Sequence, residues 1–349
     1  MRTETAARLA QRILSEATAV GKAVGLERLA GQRVLLTGAS GLLGQWLLAS
    51  LPEDPAARPA EVTVVTRSRP TGYFAVLARR KGARILSGDL GDAGFRCKLP
   101  EADCILHAAG YGQPGKFLAD PLGTMALNVC ASLDLLSRLA PGGRYLFLST
   151  SEVYSGLPPG AHEEGQIGTT NTDHPRASYI DAKRAGEVLC HAASRAGTTA
   201  RAARVALAYG PGVRLDDARV LNTFILRGLS GAVTLADHGH ALRTYCYVAD
   251  TIEMLWRILL DGRQVVYNVG GVSRTTIGDL ARGIGALTGA PVVFPQTEAP
   301  LTGSPGEVSL SLERVRADFG KTAFVPLEAG LARTIEWLRL LKAAEVEEG

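Results

Sequence analysis

A short apolar run, Val34-Leu35-Leu36, breaks into Thr37-Gly38-Ala39-Ser40-Gly41-Leu42-Leu43-Gly44 and passes straight into a helical stretch. Glycines spaced three apart at the junction of a strand and a helix leave a chain few ways to fold. Gly38 permits the tight turn, Gly41 lets a pyrophosphate approach bare backbone N–H groups, and Gly44 lets the helix pack closely on the strand. The segment reads as a phosphate loop opening a βαβ unit, and the remaining chain must supply neighbours for that first strand.

Short β-branched or apolar runs recur and alternate with helical stretches. The candidate strands are Arg33 to Thr37, Glu61 to Thr66, Arg84 to Leu86, Cys104 to His107, Arg144 to Ser149, Arg201 to Leu207 and Val265 to Val269. Helical candidates lie near Gly44 to Leu51, Thr124 to Leu139, Tyr179 to Arg195 and Asp250 to Leu260. This alternation predicts an α/β fold, a doubly wound parallel sheet with right-handed crossovers. After Gly210-Pro211-Gly212 the pattern loosens into short helices and loops, and a smaller mixed C-terminal lobe is expected there. The expected division is 31–208 plus 243–269 for the sheet domain and 209–242 plus 270–342 for the lobe. Residues 1–30 form an N-terminal amphipathic helix, with Leu9, Ile13, Ala17, Val20 and Val24 stepping by three or four along one stripe. Glu4 and Glu16 among Arg2, Arg8 and Arg12 argue against a transit peptide, so the helix is expected to pack on the main domain.

The 349 residues are 46% hydrophobic and 21% charged, which excludes a disordered or fibrous chain. Lys and Arg (38) exceed Asp and Glu (34) by only 4, with no dense basic run, so no nucleic-acid surface is implied. No stretch reaches the roughly 18 apolar residues of a membrane span. The 5 cysteines are scattered and form no Cys-x-x-Cys pair, which fits a reducing cytoplasm and neither a disulfide framework nor a zinc site. His162, His174, His191, His238 and His240 lack metal-ligand spacing with nearby acids; the last two lie close to Arg243 and could line a pocket. No metal is expected.

Tyr179 and Lys183 stand four apart at the start of a helical stretch, so both project from one face. An ammonium beside the phenol lowers the cost of the phenolate, which lets Tyr179 serve as a base. Upstream, Leu148-Ser149-Thr150-Ser151-Glu152-Val153-Tyr154 leaves a strand and puts hydroxyls and a carboxylate at the carboxyl edge of the sheet, where ligands bind in such folds. The second strand ends in Thr66-Arg67-Ser68-Arg69, without the acid that reads an adenosine ribose; the two arginines could instead meet the 2′-phosphate of NADP. Asp89, in Gly88-Asp89-Leu90 after the third strand, sits where an adenine amino group could be read.

In this order the glycine loop, the strand-end hydroxyls and Tyr-x-x-x-Lys resemble the short-chain dehydrogenase/reductase superfamily. The length and further motifs look like its extended branch, the nucleotide-sugar epimerase/dehydratase family with a Rossmann sheet. Those motifs are His107-Ala108-Ala109-Gly110, Asn128, Tyr209-Gly210-Pro211-Gly212 and Arg243-Thr244-Tyr245-Cys246-Tyr247-Val248-Ala249-Asp250. Thr150-Ser151-Glu152 resembles the UDP-glucuronate decarboxylases and the GDP-mannose 4,6-dehydratases, and Pro175 to Glu187 looks most like the decarboxylase group. The chain departs from the family where Asn often stands at Ala208 and Gln at Ala241. The resemblance implies Thr150, Ser151, Glu152, Tyr179 and Lys183 as catalytic residues. For the cofactor, NAD with NADP as the option, it implies Gly38, Ser40, Gly41, Leu42, Leu43, Gly44, Arg67, Asp89, Leu90, His107, Ala108 and Ala109 besides Tyr179 and Lys183. It implies Tyr111, Asn128 and Arg243 for a nucleoside-diphosphate sugar, a homodimer built from the helices near 124–139 and 179–195, and for Asp250 a helix cap.

The implied reaction has Tyr179, with Lys183 and Thr150, removing the proton of a sugar 4-hydroxyl while hydride leaves C4. A carboxylate at C6 is then lost as CO2, with Glu152 or Ser151 aiding reprotonation at C5; a C6 hydroxyl leaves as water instead, as in a 4,6-dehydratase. A 4-epimerase is the nearest alternative, followed by a simple NADPH ketoreductase and a non-catalytic dinucleotide sensor.

Overall fold

The computed structural model describes residues 3–296 and 307–346. Arg2 and the 297–306 part of the expected second lobe lie outside the described residues. Seven parallel strands form the main sheet: β1 (Arg33–Thr37), β2 (Glu61–Thr66), β3 (Arg84–Ser87), β4 (Ala102–His107), β5 (Leu139–Thr150), β7 (Thr199–Val205) and β11 (Val266–Val269), in the order β3-β2-β1-β4-β5-β7-β11. Alternate residues of β1 face opposite ways, as an extended strand requires. Val34 and Leu36 join one buried cluster, and Leu35 joins the other. Covered on both sides, the strands read as continuous apolar runs rather than as an alternation.

The helices divide between these faces. Over the first lie α1 (Thr3–Val24), α2 (Leu42–Ser50), α3 (Gly72–Arg80) and α10 (Val248–Asp261). Towards the second lie α4 (Ala93–Arg96), α5 (Pro114–Ala119), α6 (Pro121–Met125), a π-helical turn Ala126–Cys130, α7 (Ala131–Leu136) and α8 (Ala177–Arg195). Where one helix from 124 to 139 is expected, the structure has three short segments, and Leu139 already belongs to β5, paired with Ala102 ahead of a bulge. Leu9, Ile13, Ala17 and Val24 of the N-terminal stripe are buried. α1 crosses α2 so closely that a Cβ on Gly21 would sit 2.0 Å from the Ser50 carbonyl oxygen.

A second sheet joins β6 (Ala161–His162), β8 (Ala208–Tyr209), β10 (Leu242–Tyr247), β12 (Ser273–Thr276) and β14 (Glu307–Leu310), while β9 (Val233–Thr234) pairs with β13 (Val292–Val293). This corrects the expectation that all of 243–269 rejoins the main sheet: β10 does not, whereas β11 does. The divergence starts at Leu207, whose φ of +41° turns the chain out of register after β7. β8 then runs beside β10, with Ala208 opposite Cys246 and Tyr209 opposite Tyr247. Helices α9 (Val220–Gly228), α11 (Ile277–Thr288), α12 (Glu313–Phe319) and α13 (Leu327–Val346) complete the chain.

A buried polar network ties the two sheets together beneath the end of β5. Arg204 forks onto Glu187 (2.7 Å) and donates to Tyr154 Oη (2.8 Å), which donates to Asn268 Oδ1 (2.7 Å). Ser149 donates to the same Glu187 carboxylate at 2.5 Å. Such a pair is held by its hydrogen bonds as much as by charge, and removing one partner strands the other in the interior.

Candidate active site

The carboxyl ends of β1, β4 and β5 open on one crevice. Gly38 there has φ +67°, and a Cβ on it would sit 2.5 Å from the Ala108 carbonyl oxygen, so β1 and β4 approach each other through bare backbone. On Gly44 a Cβ would be 2.2 Å from the Gly38 carbonyl oxygen, which fixes the helix against the turn. Gly41 is the N-cap of α2 and no side chain caps that end, while Ser40 and Gly41 are exposed and Leu42 and Leu43 are half-buried. An uncapped N-terminus with its dipole facing the crevice suits a phosphate. The cradle therefore fits a dinucleotide.

At the far end of the crevice, Arg67 is exposed after β2 and its Nη1 donates to Tyr111 Oη at 3.4 Å, and Tyr111 in turn donates to Asp120 Oδ2 at 2.9 Å. Asp89 is exposed and accepts the Gly91 amide at 2.8 Å, whereas Leu90 is buried in the second core cluster. His107 ends β4. It is wholly buried, with Nδ1 against Thr37 Oγ1 (2.7 Å) and Nε2 against the Leu127 carbonyl (2.9 Å), so the ring has nothing left to offer a ligand. Thr37 also accepts the Ala109 amide at 3.2 Å, and the histidine thus ties the phosphate loop to the π-helical turn. Burial, and next the charge of Lys183, push His107 down to about 3.

Beyond the histidine the π-helical turn carries Asn128, buried, with Nδ2 donating to the Thr124 carbonyl at 2.7 Å and Oδ1 left without a donor. A Cβ built on Gly110 would lie 3.5 Å from that oxygen and 3.4 Å from Lys183 Nζ, so both groups face one small space at the crevice floor. An orphaned buried acceptor beside an amine is a position that a ligand or a water satisfies. Lys183 donates to the Leu148 carbonyl at 2.6 Å, and burial brings its amine down to about 7 against the opposing pull of Glu187.

Tyr179 is the centre of a tight group. Its ring stacks on Phe117 at 4.3 Å with the planes 6° apart, and the Arg176 guanidinium lies over the other ring at 5.4 Å. Burial and then the Glu152 charge raise the phenol to about 12, opposed by a hydrogen bond from Thr150 and by the charges of Arg176 and Arg219. Lys183 Nζ lies 5.9 Å from the centre of the Tyr179 ring while one of its N–H groups goes to the Leu148 carbonyl. Glu152 lies in the turn Ser151–Tyr154, where its amide donates to Thr150 Oγ1 at 3.3 Å and Ser151 is half-buried. Burial raises the Glu152 carboxyl, although Arg176 Nη2 donates to it at 2.5 Å.

The second sheet contributes the opposite wall. Trp46 Nε1 donates to the Pro211 carbonyl (2.7 Å), Gln45 Nε2 to that of Gly212 (2.7 Å) and Trp337 Nε1 to that of Val213 (2.8 Å). These bonds pin the loop after β8 to α2 and α13. The loop then delivers Asp217, buried, whose carboxylate grips the Arg219 guanidinium with Nε 3.0 Å from both oxygens. Arg219 and Arg243 both act on Tyr245, and Arg219 acts also on Tyr179. Arg243, on β10, donates to the Leu242 carbonyl at 2.7 Å. Asp250 is not a cap: it stands inside the first turn of α10, paired with Lys321 at 2.8 Å and accepting the Val325 amide at 2.9 Å.

The structure thus brings Thr150, Glu152, Tyr179 and Lys183 together, with Asn128 beside Lys183 and Arg243 approaching through Tyr245. Arg176, Arg219, Asp217 and Phe117 are site residues that the sequence reading did not single out. Arg219 follows Asp217 by two, a local pair after a glycine-rich turn, which is the one signal that could have marked it; the Arg176–Glu152 and Phe117–Tyr179 pairings are long-range.

The family model for the NAD dependent epimerase/dehydratase family matches residues 34–270. The UDP-glucuronic acid decarboxylase 1 of Xenopus tropicalis is 29% identical over 318 residues, covering 88% of this chain and 72% of that protein. A dTDP-glucose 4,6-dehydratase of Streptomyces niveus is 28% identical over 324 residues, covering 88% of this chain and 93% of that protein. Among solved structures, the dTDP-glucose 4,6-dehydratase of Streptomyces venezuelae, crystallised with NAD, superposes with a TM-score of 0.72 at 25% identity, covering 89% of this chain and 98% of that one.

Proposed function

From the premise that this chain belongs to the NAD dependent epimerase/dehydratase family, we propose that it is a nucleotide-sugar decarboxylase acting on a nucleoside-diphosphate hexuronate. The observation that carries this reading is the charge arrangement around Tyr179. One half-buried carboxyl, Glu152, stands beside the phenol, and the charges of Arg176 and Arg219 act on the same group. Two guanidiniums, each held by one carboxylate of the chain, gathered at one phenol in a partly desolvated cleft suit a sugar that carries its own carboxylate besides its diphosphate.

The glycine cradle at Gly38, Gly41 and Gly44 would hold NAD, which would supply reversible hydride transfer at C4 of the sugar. Tyr179 takes the proton of the C4 hydroxyl as its phenolate, the form that the Thr150 hydrogen bond and the charges of Arg176 and Arg219 favour against burial. Phe117 and the buried face of α8 keep water from the phenol. Once C4 is a ketone, the C5–C6 bond breaks, CO2 leaves with C6, and the bonding pair moves into the C4–C5 enolate. Glu152, or Ser151 next to it, returns a proton to C5. Arg219, held by Asp217, and Arg243 face the side where a carboxylate or diphosphate would lie.

A 4,6-dehydratase is the second reading, favoured by the same Glu152, which as a carboxylate would take the C5 proton while water leaves C6. Mass spectrometry of products from UDP-glucuronate, UDP-glucose and dTDP-glucose, incubated with the chain and NAD, separates the two. Loss of CO2 from UDP-glucuronate is the expected result; loss of water from a neutral hexose establishes the dehydratase, and a chain that does neither overturns this proposal.

The reading includes a second copy of the chain. Leu122 on α6, Leu133 on α7 and Val188 on α8 are exposed apolar residues on helices that pack together, and such a patch is covered when two copies pair isologously.

A further inference from the structure

Among the described residues Glu152 is paired with Arg176, and the pair is close: Nη2 to Oε1 is 2.5 Å, with 23% and 30% of the two side chains exposed. The guanidinium is not fully engaged. Its Nε is buried and has no acceptor, and the group lies on the Phe117 ring, which stacks in turn on Tyr179. Arg176 and Tyr179 thus share the Phe117 ring, the guanidinium is near enough for its charge to act on the phenol, and it carries a donor to spare. Around Glu152 stand Thr150 from the end of β5, Tyr179 from α8 and Arg176 from the segment before it; Arg219, from the second lobe, acts on Tyr179.

Resting on the hexuronate reading above, we infer that a sugar carboxylate draws Arg176 away from Glu152, and that Glu152 takes up one proton from solvent as the pair parts. Two carboxylates would then share one small, partly dry space and one guanidinium. Like charges a few ångströms apart do not both stay ionised, and the one that loses its hydrogen-bonded cation is the one that protonates. The carboxylate of the sugar is to be expelled as CO2, and a planar guanidinium can hold it bidentately until then. Glu152 is already pushed towards its neutral form by burial even with Arg176 in place. The exchange has a chemical use. A hydronium proton forms the Glu152 O–H bond; after CO2 has gone, that bond breaks, the proton forms the C5–H bond, and the carboxylate left behind pairs with Arg176 again. Nothing is oxidised or reduced in the exchange. A neutral hexose brings no second charge and leaves the pair closed.

The test is calorimetric titration of the NAD-loaded Tyr179→Phe chain, in which no turnover disturbs the heat, with UDP-glucuronate and with UDP-glucose in two neutral buffers of different ionisation enthalpy. Uptake of about one proton per UDP-glucuronate bound and almost none with UDP-glucose is expected. Adding Glu152→Gln should abolish the uptake while UDP-glucuronate still binds. Arg176→Lys, which keeps a cation and loses the planar fork, should weaken UDP-glucuronate and spare UDP-glucose. Binding of UDP-glucuronate without proton uptake, or uptake that survives Glu152→Gln, overturns the exchange while decarboxylation by the wild type stands. A chain that neither binds nor decarboxylates UDP-glucuronate overturns the hexuronate reading, and the exchange with it.

Discussion

Lys183 Nζ lies 5.9 Å from the centre of the Tyr179 ring and is committed to the Leu148 carbonyl at 2.6 Å. The two residues share a helix face, as their spacing requires, yet in the ligand-free chain the amine secures α8 to β5 rather than touching the phenol oxygen. Its effect on stability follows from burial. The folded pKa, about 7, lies below the ordinary 10.5, so between these values the unfolded chain holds the extra proton and stability rises with pH. Relative to wild type, Lys183→Met should therefore gain as pH is lowered. Urea unfolding of both chains at about pH 6 and about pH 10 measures this, and a constant difference contradicts it.

His107 makes a prediction on the acid side. Its pKa is pushed from 6.5 to about 3, so as pH falls through this window the unfolded chain takes a proton that the folded chain refuses. That part of the stability is complete above 6.5 and is lost as pH approaches 3. His107→Gln should flatten the acid limb of the stability curve at some cost at neutral pH. An NMR titration of the His107 ring should show no midpoint between about pH 5 and 8.

Gly38→Ala combines a left-handed backbone with a Cβ 2.5 Å from the Ala108 carbonyl oxygen. The strain should cost about 1–3 kcal/mol and move β1 away from β4. Thermal unfolding reads the first effect and NAD titration the second; a chain with unaltered NAD affinity would falsify the assignment of this turn as the cradle.

Asp217→Asn leaves Arg219 its charge but halves the grip on it. In the hexuronate reading kcat should fall about ten- to a hundredfold with NAD affinity unchanged. Steady-state kinetics that show only a raised KM would mean that Arg219 binds substrate without being held in a reactive pose.

A charge placed on the exposed apolar face, Leu133→Glu, should turn a dimer into a monomer in light scattering without loss of fold. A wild-type chain that is already monomeric at working concentration ends that proposal.

Much of the main sheet was legible because its strands are buried on both faces and its first turn is dictated by glycine. Leu139 was misread because a strand that starts at a bulge shows no periodic run, and β10 because strand character does not say which sheet a strand joins. At the site, Tyr179, Lys183 and Thr150–Glu152 were legible from local order. The Arg176–Glu152 pair and the Phe117–Tyr179 stack were not, since each joins residues brought together only by the crossing of α5, α8 and the end of β5. The hydrogen bonds of the His107 ring to Thr37 and Leu127 were not legible, because they depend on burial that no local pattern displays.

α1 is the first helix in the chain, and its partners arrive at very different times. α2 and α3 follow within the first βαβαβ stretch, whereas Glu16 of α1 waits for Tyr247 Oη (2.9 Å) and for Arg333 (2.9 Å) of α13. During synthesis the helix can settle on its nearest neighbours at once, while a half-buried carboxylate stays uncompensated until the last helix is made. α13 closes over α1, so a product truncated before Leu327 would carry an acid without its arginine and an open apolar groove, the marks by which quality control sorts an unfinished chain from a finished one.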